Sequence, residues 1–413
     1  MELLPCGHAA LAGSRRVCRH LIEPDSEQDY FRLFTGIGAE YELACQPCVD
    51  DTPDLLVVCE GCLARALDNN SVDGYRGTPA VLDRPEPMSI ALDRRALPFA
   101  PLDIAPVPGA PHRWLLLSPS GVVEWHSDDR PSSAAMVRFE LPDVPAEGHF
   151  PTLPPRPRLH VSPSARFCAV VVDFGRHGIV VDLAAGRIVA ELDRGEYRPG
   201  TQRVPFAFLA LDDGEAYVHG TNWDRVDISD AATGRLRTAR DSSAYNGYFH
   251  GELVVSPDGR WIADDGWVWT PVGMPQVWSV DAWLSNPGEP EDGPTRRRLA
   301  DRPDWNEPIV WCGDHVVLRG LGTWLDPALL PGAAVHDPAT GAVILEFAGP
   351  TGRLLSHGGR LFATTATGVE VWDPVSGART ARIPDFRPTV VHPASGELLA
   401  LDSTTAVIGT LAA

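Results

Sequence analysis

Residues 256–263 read Ser-Pro-Asp-Gly-Arg-Trp-Ile-Ala, a polar turn followed at once by an apolar segment. The same pattern occurs three more times, as Ser162-Pro-Ser-Ala-Arg-Phe-Cys-Ala-Val, Ser356-His-Gly-Gly-Arg-Leu-Phe-Ala and His392-Pro-Ala-Ser-Gly-Glu-Leu-Leu-Ala. A unit that recurs at a spacing of about 35–50 residues is typical of repeat proteins. We interpret each copy as the turn between an apolar strand and a second strand.

A second motif follows within each unit. Its copies are Val180-Val-Asp-Leu-Ala-Ala-Gly-Arg, Val226-Asp-Ile-Ser-Asp-Ala-Ala-Thr-Gly-Arg, Ala334-Val-His-Asp-Pro-Ala-Thr-Gly-Ala and Val371-Trp-Asp-Pro-Val-Ser-Gly-Ala. In each copy an alternating strand ends in Asp, and a turn containing Gly comes next. This is the turn chemistry expected between the third and fourth strands of a four-stranded unit.

The two motifs together resemble the units of WD-repeat and related β-propellers, and the resemblance covers residues 88–413. It implies a mostly β fold, a seven-bladed β-propeller. The expected blades are 100–141, 157–193, 204–240, 250–300, 307–348, 352–384 and 387–411. The last of these provides only three strands, so we expect Met88–Leu92 to supply its outer strand and to close the last blade. Closing the ring in this way removes the open edges that an eighth half-blade would leave.

The N-terminal segment is of a different kind, because it carries four pairs of metal-ligating residues. They are Cys6 and His8, Cys18 and His20, Cys45 and Cys48, and Cys59 and Cys62. Thiolates and imidazoles at such short spacings reach one ion from a single turn, and eight donors suit two tetrahedral zinc ions. We therefore predict a small N-terminal zinc-binding module at residues 1–70, with two structural zinc ions, and a polar linker at 71–87.

The spacing leaves the pairing of these ligands open. The last four cysteines are suited to one site, and the first four ligands to another, but an interleaved arrangement has the same spacing. A hairpin leading to Cys45 and a helix beginning near Cys59 resemble a treble-clef or ribbon-type zinc finger. The alternative is that these residues are reduced, buried thiols with two surface histidines. A full ligand set leaves no position for a catalytic water, so the zinc is expected to be structural.

Charge and composition limit the partners. The formal net charge is −20, and every one of the 35 basic residues is arginine. Such acidity argues against nucleic acid or an anionic membrane as the main partner. We see neither a signal peptide nor a membrane span, and therefore expect a cytoplasmic protein. The lysine-free, Arg-, Ala- and Pro-rich composition resembles that of a bacterial protein from a GC-rich actinobacterial genome.

Propeller topology places the links between blades, and the loops between second and third strands, on one face. Aromatic and arginine side chains expected there are Arg176, Tyr197, Arg198, Trp223, Arg225, Trp305 and Trp324. This composition is typical of interface hot spots. The alternative is that the aromatic rings pack between blades and that the arginines pair with Asp. Trp261 and Trp372 lie within strands, where we expect them to be buried.

No linear catalytic motif is present, and the histidines 177, 219, 250, 315 and 357 fall in different expected blades. We therefore predict a non-enzymatic interaction or scaffold protein that binds a protein or peptide partner, without catalytic residues. The alternative is a propeller enzyme, a hydrolase or lyase, with its site at the mouth of the central channel. The sequence does not indicate an oligomeric state.

Overall fold

The structure is a computed structural model. It describes residues 15–23, 26, 28, 30–34, 41–45, 47–48, 54–70, 82–83, 90–128, 130, 136–142, 153–240, 247–269, 272–302, 304–322 and 330–411. The described part of the chain is mostly β, as predicted, and its strands form nine sheets. Four residues named above lie outside the described residues: Cys6, His8, Met88 and Trp324.

The N-terminal module is one mixed sheet with a helix. Its elements are β1 (Arg15–Cys18), a 3-10 turn (Arg19–Leu21), β2 (Tyr30–Phe34), β3 (Tyr41–Cys45), β4 (Leu55–Val58) and α1 (Glu60–Asn69). The sheet order is β2-β3-β1-β4, with β1 parallel to β3 and antiparallel to β4. Strands β2 and β3 form the expected hairpin that ends at Cys45.

Asn70, which follows α1, joins the helix to the rest of the module. Its side-chain amide donates to the carbonyl oxygens of Leu21 (2.9 Å) and Ala66 (2.8 Å). Its oxygen accepts from the Ser26 hydroxyl at 2.6 Å and from the Gln28 amide at 3.0 Å. Asn70 is buried, and its oxygen and both N–H groups have partners, which avoids the cost of burying an unpaired amide.

The remaining strands form sheets in sequence order. The first two are β7 (Asp103–Pro106), β8 (Arg113–Ser118), β9 (Gly121–His126) and β10 (Met136–Arg138), then β11 (Arg156–Val161), β12 (Phe167–Asp173), β13 (His177–Asp182) and β14 (Arg187–Asp193). A 3-10 turn (Pro199–Thr201) leads to a three-stranded sheet of β15 (Phe206–Leu211), β16 (Gly214–Asn222) and β17 (Arg225–Asp230).

Two sheets interleave in the middle of the chain. The small one comprises β18 (Tyr248–Phe249), β21 (Trp267–Val268) and β22 (Val272–Gly273). The larger comprises β19 (Leu253–Val255), β20 (Trp261–Asp264), β23 (Gln276–Ser279) and β24 (Arg297–Arg298), with helices α2 (Val280–Ser285) and α3 (Glu289–Asp292) inserted before β24.

Three sheets complete the chain, and two of them gain a strand from its N-terminal part. Their own strands are β25 (Ile309–Cys312), β26 (His315–Leu321), β27 (Leu330–His336) and β28 (Val343–Ala348); β29 (Arg353–His357), β30 (Arg360–Thr365), β31 (Gly368–Asp373) and β32 (Ala378–Pro384); and β33 (Val390–Val391), β34 (Leu398–Asp402) and β35 (Thr405–Leu411). Strand β5 (Leu82–Asp83), in the expected linker, pairs with β32, and β6 (Ile90–Ala96) pairs antiparallel with β35.

The two repeated motifs form the turns expected of them. Ser256 Oγ accepts the amide of Trp261 at 2.9 Å, and Ser162 Oγ accepts the amide of Phe167 at 3.1 Å. At the second motif the carboxylate oxygen of Asp182 accepts two amides, each at 3.0 Å. Equivalent Asp turns lie at Asp230, Asp337 and Asp373, and the turn glycines Gly186, Gly234, Gly341 and Gly377 all have positive φ. These short polar turns fix the hairpins locally.

Successive sheets pack face to face, because each contributes apolar residues to a core shared with the next. One such core joins the β11–β14 sheet, through Phe167 and Val180, to the following sheet, through Phe206. A comparable core joins the first and last sheets, through Trp114 on β8 and Ile408 on β35. The module packs separately on the side of this array, where Leu321 and Ala334 complete its core.

Among the helices in the described part of the chain, none has the length and apolar character that crossing a bilayer requires.

Candidate functional sites

Four of the eight predicted metal ligands come together in the N-terminal module. They are Cys18, His20, Cys45 and Cys48, whose ligand atoms all lie within 4.8 Å of one another. Strand pairing explains the arrangement, since β1 runs parallel to β3 and both strands end in a cysteine of the set. The Cys45 amide donates to Cys18 Sγ at 3.3 Å, which fixes these strand ends side by side.

The distances suit one tetrahedral ion. His20 Nδ1 lies 3.6 Å from Cys45 Sγ and 3.3 Å from Cys48 Sγ. Two ligands bound at about 2.0–2.3 Å and at the tetrahedral angle are separated by about 3.5 Å, so the cluster has the dimensions of a zinc site. The three cysteines are buried, and burial raises the pKa of Cys18 to about 11. Buried thiolates require a compensating cation, which a metal ion provides.

This grouping combines the second and third ligand pairs of the sequence. Cys59 and Cys62 are also buried, at the start of α1, but they are not members of the cluster. A site made of the last four cysteines is therefore not what the structure brings together. The first pair, Cys6 and His8, lies outside the described residues, so its predicted role stays a prediction.

A second site is a stack of aromatic rings drawn from widely separated parts of the chain. Phe249 on β18 and Trp267 on β21 have ring centroids 4.1 Å apart, and Trp305 lies 4.5 Å beyond Trp267, with both pairs inclined by only 12°. Tyr197 extends the stack on the Phe249 side, at 5.8 Å and 22°. Trp267 is fully buried, whereas Tyr197 is 46% exposed. The stack therefore runs from the core to the surface.

Two further tryptophans and an arginine complete this aromatic cluster at the surface. The ring of Trp223 packs against those of Tyr197 and Phe249, with centroid distances of 4.8 Å and 4.6 Å. Trp269 is 50% exposed and lies 5.5 Å from Trp267. The guanidinium of Arg198 lies over Trp269 at 4.3 Å, within range of a cation–π interaction. Arg198 itself has left-handed backbone geometry, with φ of 52°, and precedes the 3-10 turn at Pro199.

The predicted binding residues thus fall into two groups. Tyr197, Arg198, Trp223 and Trp305 join the aromatic cluster, together with Phe249, Trp267 and Trp269, which the sequence did not single out for this surface. Arg176 and Arg225 do not join it, and Trp324 lies outside the described residues.

Both of these arginines are held by carboxylates. Arg176 pairs with Asp193 and Glu196, each at 2.7 Å, and Arg225 pairs with the buried Asp227 at 2.8 Å. These contacts match the alternative in which arginine pairs with acidic residues. Of the strand tryptophans expected to be buried, Trp372 is fully buried, but Trp261 is only half-buried because it stands at the turn-proximal start of β20.

A third site was not predicted from the sequence. A cavity of about 470 Å³ is lined by the beginnings of the first strand of successive sheets, from Asp103 on β7 to Val390 on β33. Its charged lining residues are Asp103, Arg156, Arg158, Arg203, Glu252 and Arg353. Five of the six stand at the start of an inner strand or within three residues before it, and Arg158 is the third residue of β11. No local motif marks these positions as a group.

The carboxylates of this cavity are already engaged. Glu252 binds both Arg158, at 3.0 Å, and Arg203. Asp103 accepts the amide of Leu159 at 2.7 Å, and burial raises its pKa. His160, also in the lining, is half-buried, and loss of hydration lowers the pKa of its imidazole well below the usual value. The two carboxylates in the lining are therefore held by groups of the protein, whereas His160 Nε2 has no hydrogen-bond partner among the described residues.

Comparisons with known proteins concern the fold. No family model matches the sequence, and no curated protein sequence matches it. A chain from the crystal structure of the mitotic checkpoint complex is similar in structure, with a TM-score of 0.48, 13% identity, 83% of this chain covered and 100% of that chain. U3-55K is similar with a TM-score of 0.51, 11% identity, 77% of this chain covered and 98% of that chain. U3-55K is a WD40 β-propeller protein. This chain has a WD40-like β-propeller fold.

The propeller fold places the last two sites on the same face. In a propeller, the links between blades and the loops from second to third strands share one face. Tyr197 and Trp305 lie in links, between β14 and β15 and between β24 and β25, and Trp223 lies in the turn between β16 and β17. Arg156 and Arg353 begin inner strands directly after such links. The aromatic cluster and the arginine-lined cavity therefore open toward the same face of the propeller.

Proposed function

We propose that this protein is a non-enzymatic interaction or scaffold protein. Its zinc-stabilised N-terminal module is carried on a seven-bladed propeller that presents the aromatic cluster to a protein or peptide partner. The observation that carries this proposal is the placement of Tyr197 and Trp269, each about half exposed, on a rigid stack that reaches the core through Trp267. Exposed aromatic rings held by buried ones are typical of interaction hot spots.

Several observations support a closed ring of seven blades. The cavity at the centre of the described sheets is lined by first strands from β7 to β33. Trp114, Leu399 and Ile408 share one core, which places the last sheet against the first. Side chains cross the same boundary, since Ser127 donates to Glu397 at 2.7 Å, and Glu397 also lies 2.7 Å from His112 Nδ1. A ring closed in this way leaves only the short outer edges of the blades exposed.

We propose that zinc holds the module together. The donor set of three thiolates and one imidazole selects zinc over harder ions, and four protein ligands leave no position for a reacting water. We further propose that Cys59 and Cys62 bind a second zinc ion with Cys6 and His8. The metal then stabilises a small module that buries few large side chains.

The partner proposed is a protein or peptide rather than nucleic acid. The aromatic cluster offers large apolar surface with one adjacent cation, Arg198, whereas a formal net charge of −20 opposes a phosphate backbone. Tyr and Trp contribute contact area at little cost in side-chain entropy, and arginine adds hydrogen-bond donors. A peptide with an apolar side chain next to an acidic one matches this surface.

Affinity capture with matched variants tests the proposal. The full chain, Trp269→Ala, Tyr197→Ala and a control, Ile344→Ala, are used as baits in lysate of the source cells. Ile344 is exposed on β28, away from the aromatic cluster, so this variant controls for non-specific binding by exposed apolar groups. We expect a protein that the wild type and Ile344→Ala retain and that both aromatic variants lose. Equal capture by all four baits would refute the proposed surface.

A further inference from the structure

Four arginines line the cavity of about 470 Å³, which forms the mouth of the central channel, although the protein as a whole is strongly acidic. We propose that this cavity binds a small oxyanion with two or more negative charges, through Arg156 and Arg353. The site is separate from the aromatic cluster, and the inference does not depend on the interaction role.

Strand geometry directs several of these groups into the channel. Side chains alternate between the two sides of a strand, so residues two apart point the same way. Arg156, Arg158 and His160 follow this spacing on β11, and all three line the cavity, together with the intervening Pro157 and Leu159. Arg353, at the start of β29, and Arg203, just before β15, contribute from other sheets. The positive charges therefore converge from three sheets on one space.

The acidic groups at the mouth make their close contacts with the inner pair of arginines, Arg158 and Arg203. Arg158 lies 3.0 Å from Glu252 and 3.1 Å from Asp173, and Arg203 also pairs with Glu252. These two arginines are mostly buried, with 15% and 16% of their side chains exposed. Their charges are balanced by carboxylates that already form ion pairs within the protein.

The outer pair, Arg156 and Arg353, is differently placed. Arg156 is 52% exposed, and the contact of its guanidinium with Asp173 is long, at 4.0 Å. Arg353 is accessible to solvent and donates to the backbone oxygen of Thr389 at 2.7 Å. Within the described residues no carboxylate lies within 4 Å of the Arg353 guanidinium. Both side chains therefore have N–H groups to offer to a ligand.

The electrostatics of the cavity favour an anion. Loss of hydration, followed by repulsion from Arg158, lowers the pKa of Arg203 to about 10. Loss of hydration and repulsion from Arg156 lower the pKa of Arg353 as well. Each positive charge thus raises the free energy of the charged form of its neighbours. A bound anion would relieve that repulsion. The acidic outer surface opposes this only weakly, because salt screens exposed charges beyond about 8–10 Å.

The class of ligand follows from size and geometry. Cavities of about 300–1,000 Å³ are typical of small-molecule sites. The planar guanidinium presents paired N–H donors that match the oxygens of a phosphate or a carboxylate. A ligand with two such groups would span Arg156 and Arg353. Phosphorylated small molecules and polycarboxylates share this chemistry, and the experiment distinguishes them.

Calorimetric titration of the full chain at constant ionic strength tests the proposal, with pyrophosphate and citrate as the two probes. The test variant is Arg156→Gln with Arg353→Gln, and the control is Arg187→Gln combined with Arg382→Gln, on outer strands away from the cavity. We expect one saturable site for at least one probe, unchanged in the control and weaker by about tenfold or more in the test variant. Binding of pyrophosphate alone indicates a phosphorylated ligand, and binding of citrate alone indicates a polycarboxylate.

The proposal is overturned if the wild type binds neither probe, or if the test variant binds as tightly as the control. Both altered side chains are accessible to solvent, so folding should be preserved, and circular dichroism melting checks this. If the double variant does not fold, Arg353→Lys alone carries the test. It keeps the charge but removes the paired donors, and undiminished binding of both probes by that variant would equally overturn the proposal.

Discussion

Trp267 and Trp305 stack face to face, with ring centroids 4.5 Å apart and planes inclined by 12°. The two residues come from different segments, β21 and the link before β25, yet they form one continuous column with Phe249. The Trp305 indole N–H donates to Thr201 O at 2.8 Å, which ties this column to the link that carries Tyr197. The surface part of the cluster is therefore supported by buried packing.

This arrangement predicts losses of stability of very different size for two neighbouring tryptophans. Trp267→Ala removes a fully buried ring and should lower the free energy of unfolding by about 3–5 kcal/mol. Trp269→Ala removes a half-exposed ring and its contact with Arg198, and should cost about 1 kcal/mol or less. Urea unfolding of both variants measures this contrast. A large loss of stability in Trp269→Ala would mean that Trp269 serves packing rather than recognition.

Removal of metal ligands should separate two zinc sites. We expect about two zinc ions per chain by elemental analysis. Cys18→Ser, Cys48→Ser and the double variant should each lose the same single ion, because both residues belong to one cluster. Cys59→Ser should remove a different ion, so that Cys48→Ser with Cys59→Ser loses both. Cys312→Ser, at a buried cysteine of β25, serves as the control and should retain full zinc. Loss of the same ion from Cys48→Ser and Cys59→Ser would refute this pairing.

Truncation tests the contribution of β6 to the last sheet. A chain beginning at residue 98 lacks Ile90–Ala96 and leaves β35 without its outer neighbour. It should melt well below a chain beginning at residue 80, which lacks the module but keeps β5 and β6. The melting temperature of the longer truncated chain should fall less below that of the full chain, because among the described residues the core of the module takes only Leu321 and Ala334 from the array. Equal melting temperatures for the two truncated chains would show that β6 contributes nothing to closure.

Local turn chemistry explains why the repeats could be found from the sequence. Asp182, Asp230 and Asp337 accept amides two and three residues further on, and a glycine with positive φ completes each turn. These contacts involve residues close in sequence, so the pattern is visible without knowledge of the rest of the chain. The spacing of the metal ligands is similarly local. Their grouping is not, because it depends on the parallel pairing of β1 with β3.

The arginine-lined cavity could not be predicted in this way. Arg156 and Arg353 are almost two hundred positions apart, and each begins an ordinary strand. Only the ring-like arrangement of the sheets brings them to one cavity. Trp267 was missed as a member of the aromatic cluster for the same reason, since its partners Phe249 and Trp305 come from other segments. Long-range convergence is a property of the fold and leaves no short-range pattern.

Acid should destabilise the protein in a range set partly by His219. This residue is buried on β16, and its Nε2 lies 3.0 Å from Ser229 Oγ. Burial lowers its pKa from 6.5 to about 4, although the charge of Asp227 opposes the shift. Between these values the unfolded chain binds a proton that the folded chain excludes. Stability is therefore present above pH 6.5 and is lost as the pH falls toward 4.

At pH 5 this single histidine should cost about 2 kcal/mol relative to pH 7. His219→Gln retains a hydrogen-bonding group near Ser229 but cannot take up the proton. The difference in unfolding free energy between pH 7 and pH 5, measured in urea, should be smaller in this variant by about that amount. Asp265, whose pKa burial raises to about 6, contributes in the opposite direction, but equally in both proteins. His315→Gln, at an exposed position, is the matched control. If His219→Gln and His315→Gln lose stability in parallel with the wild type, His219 is not the group that makes the fold sensitive to acid.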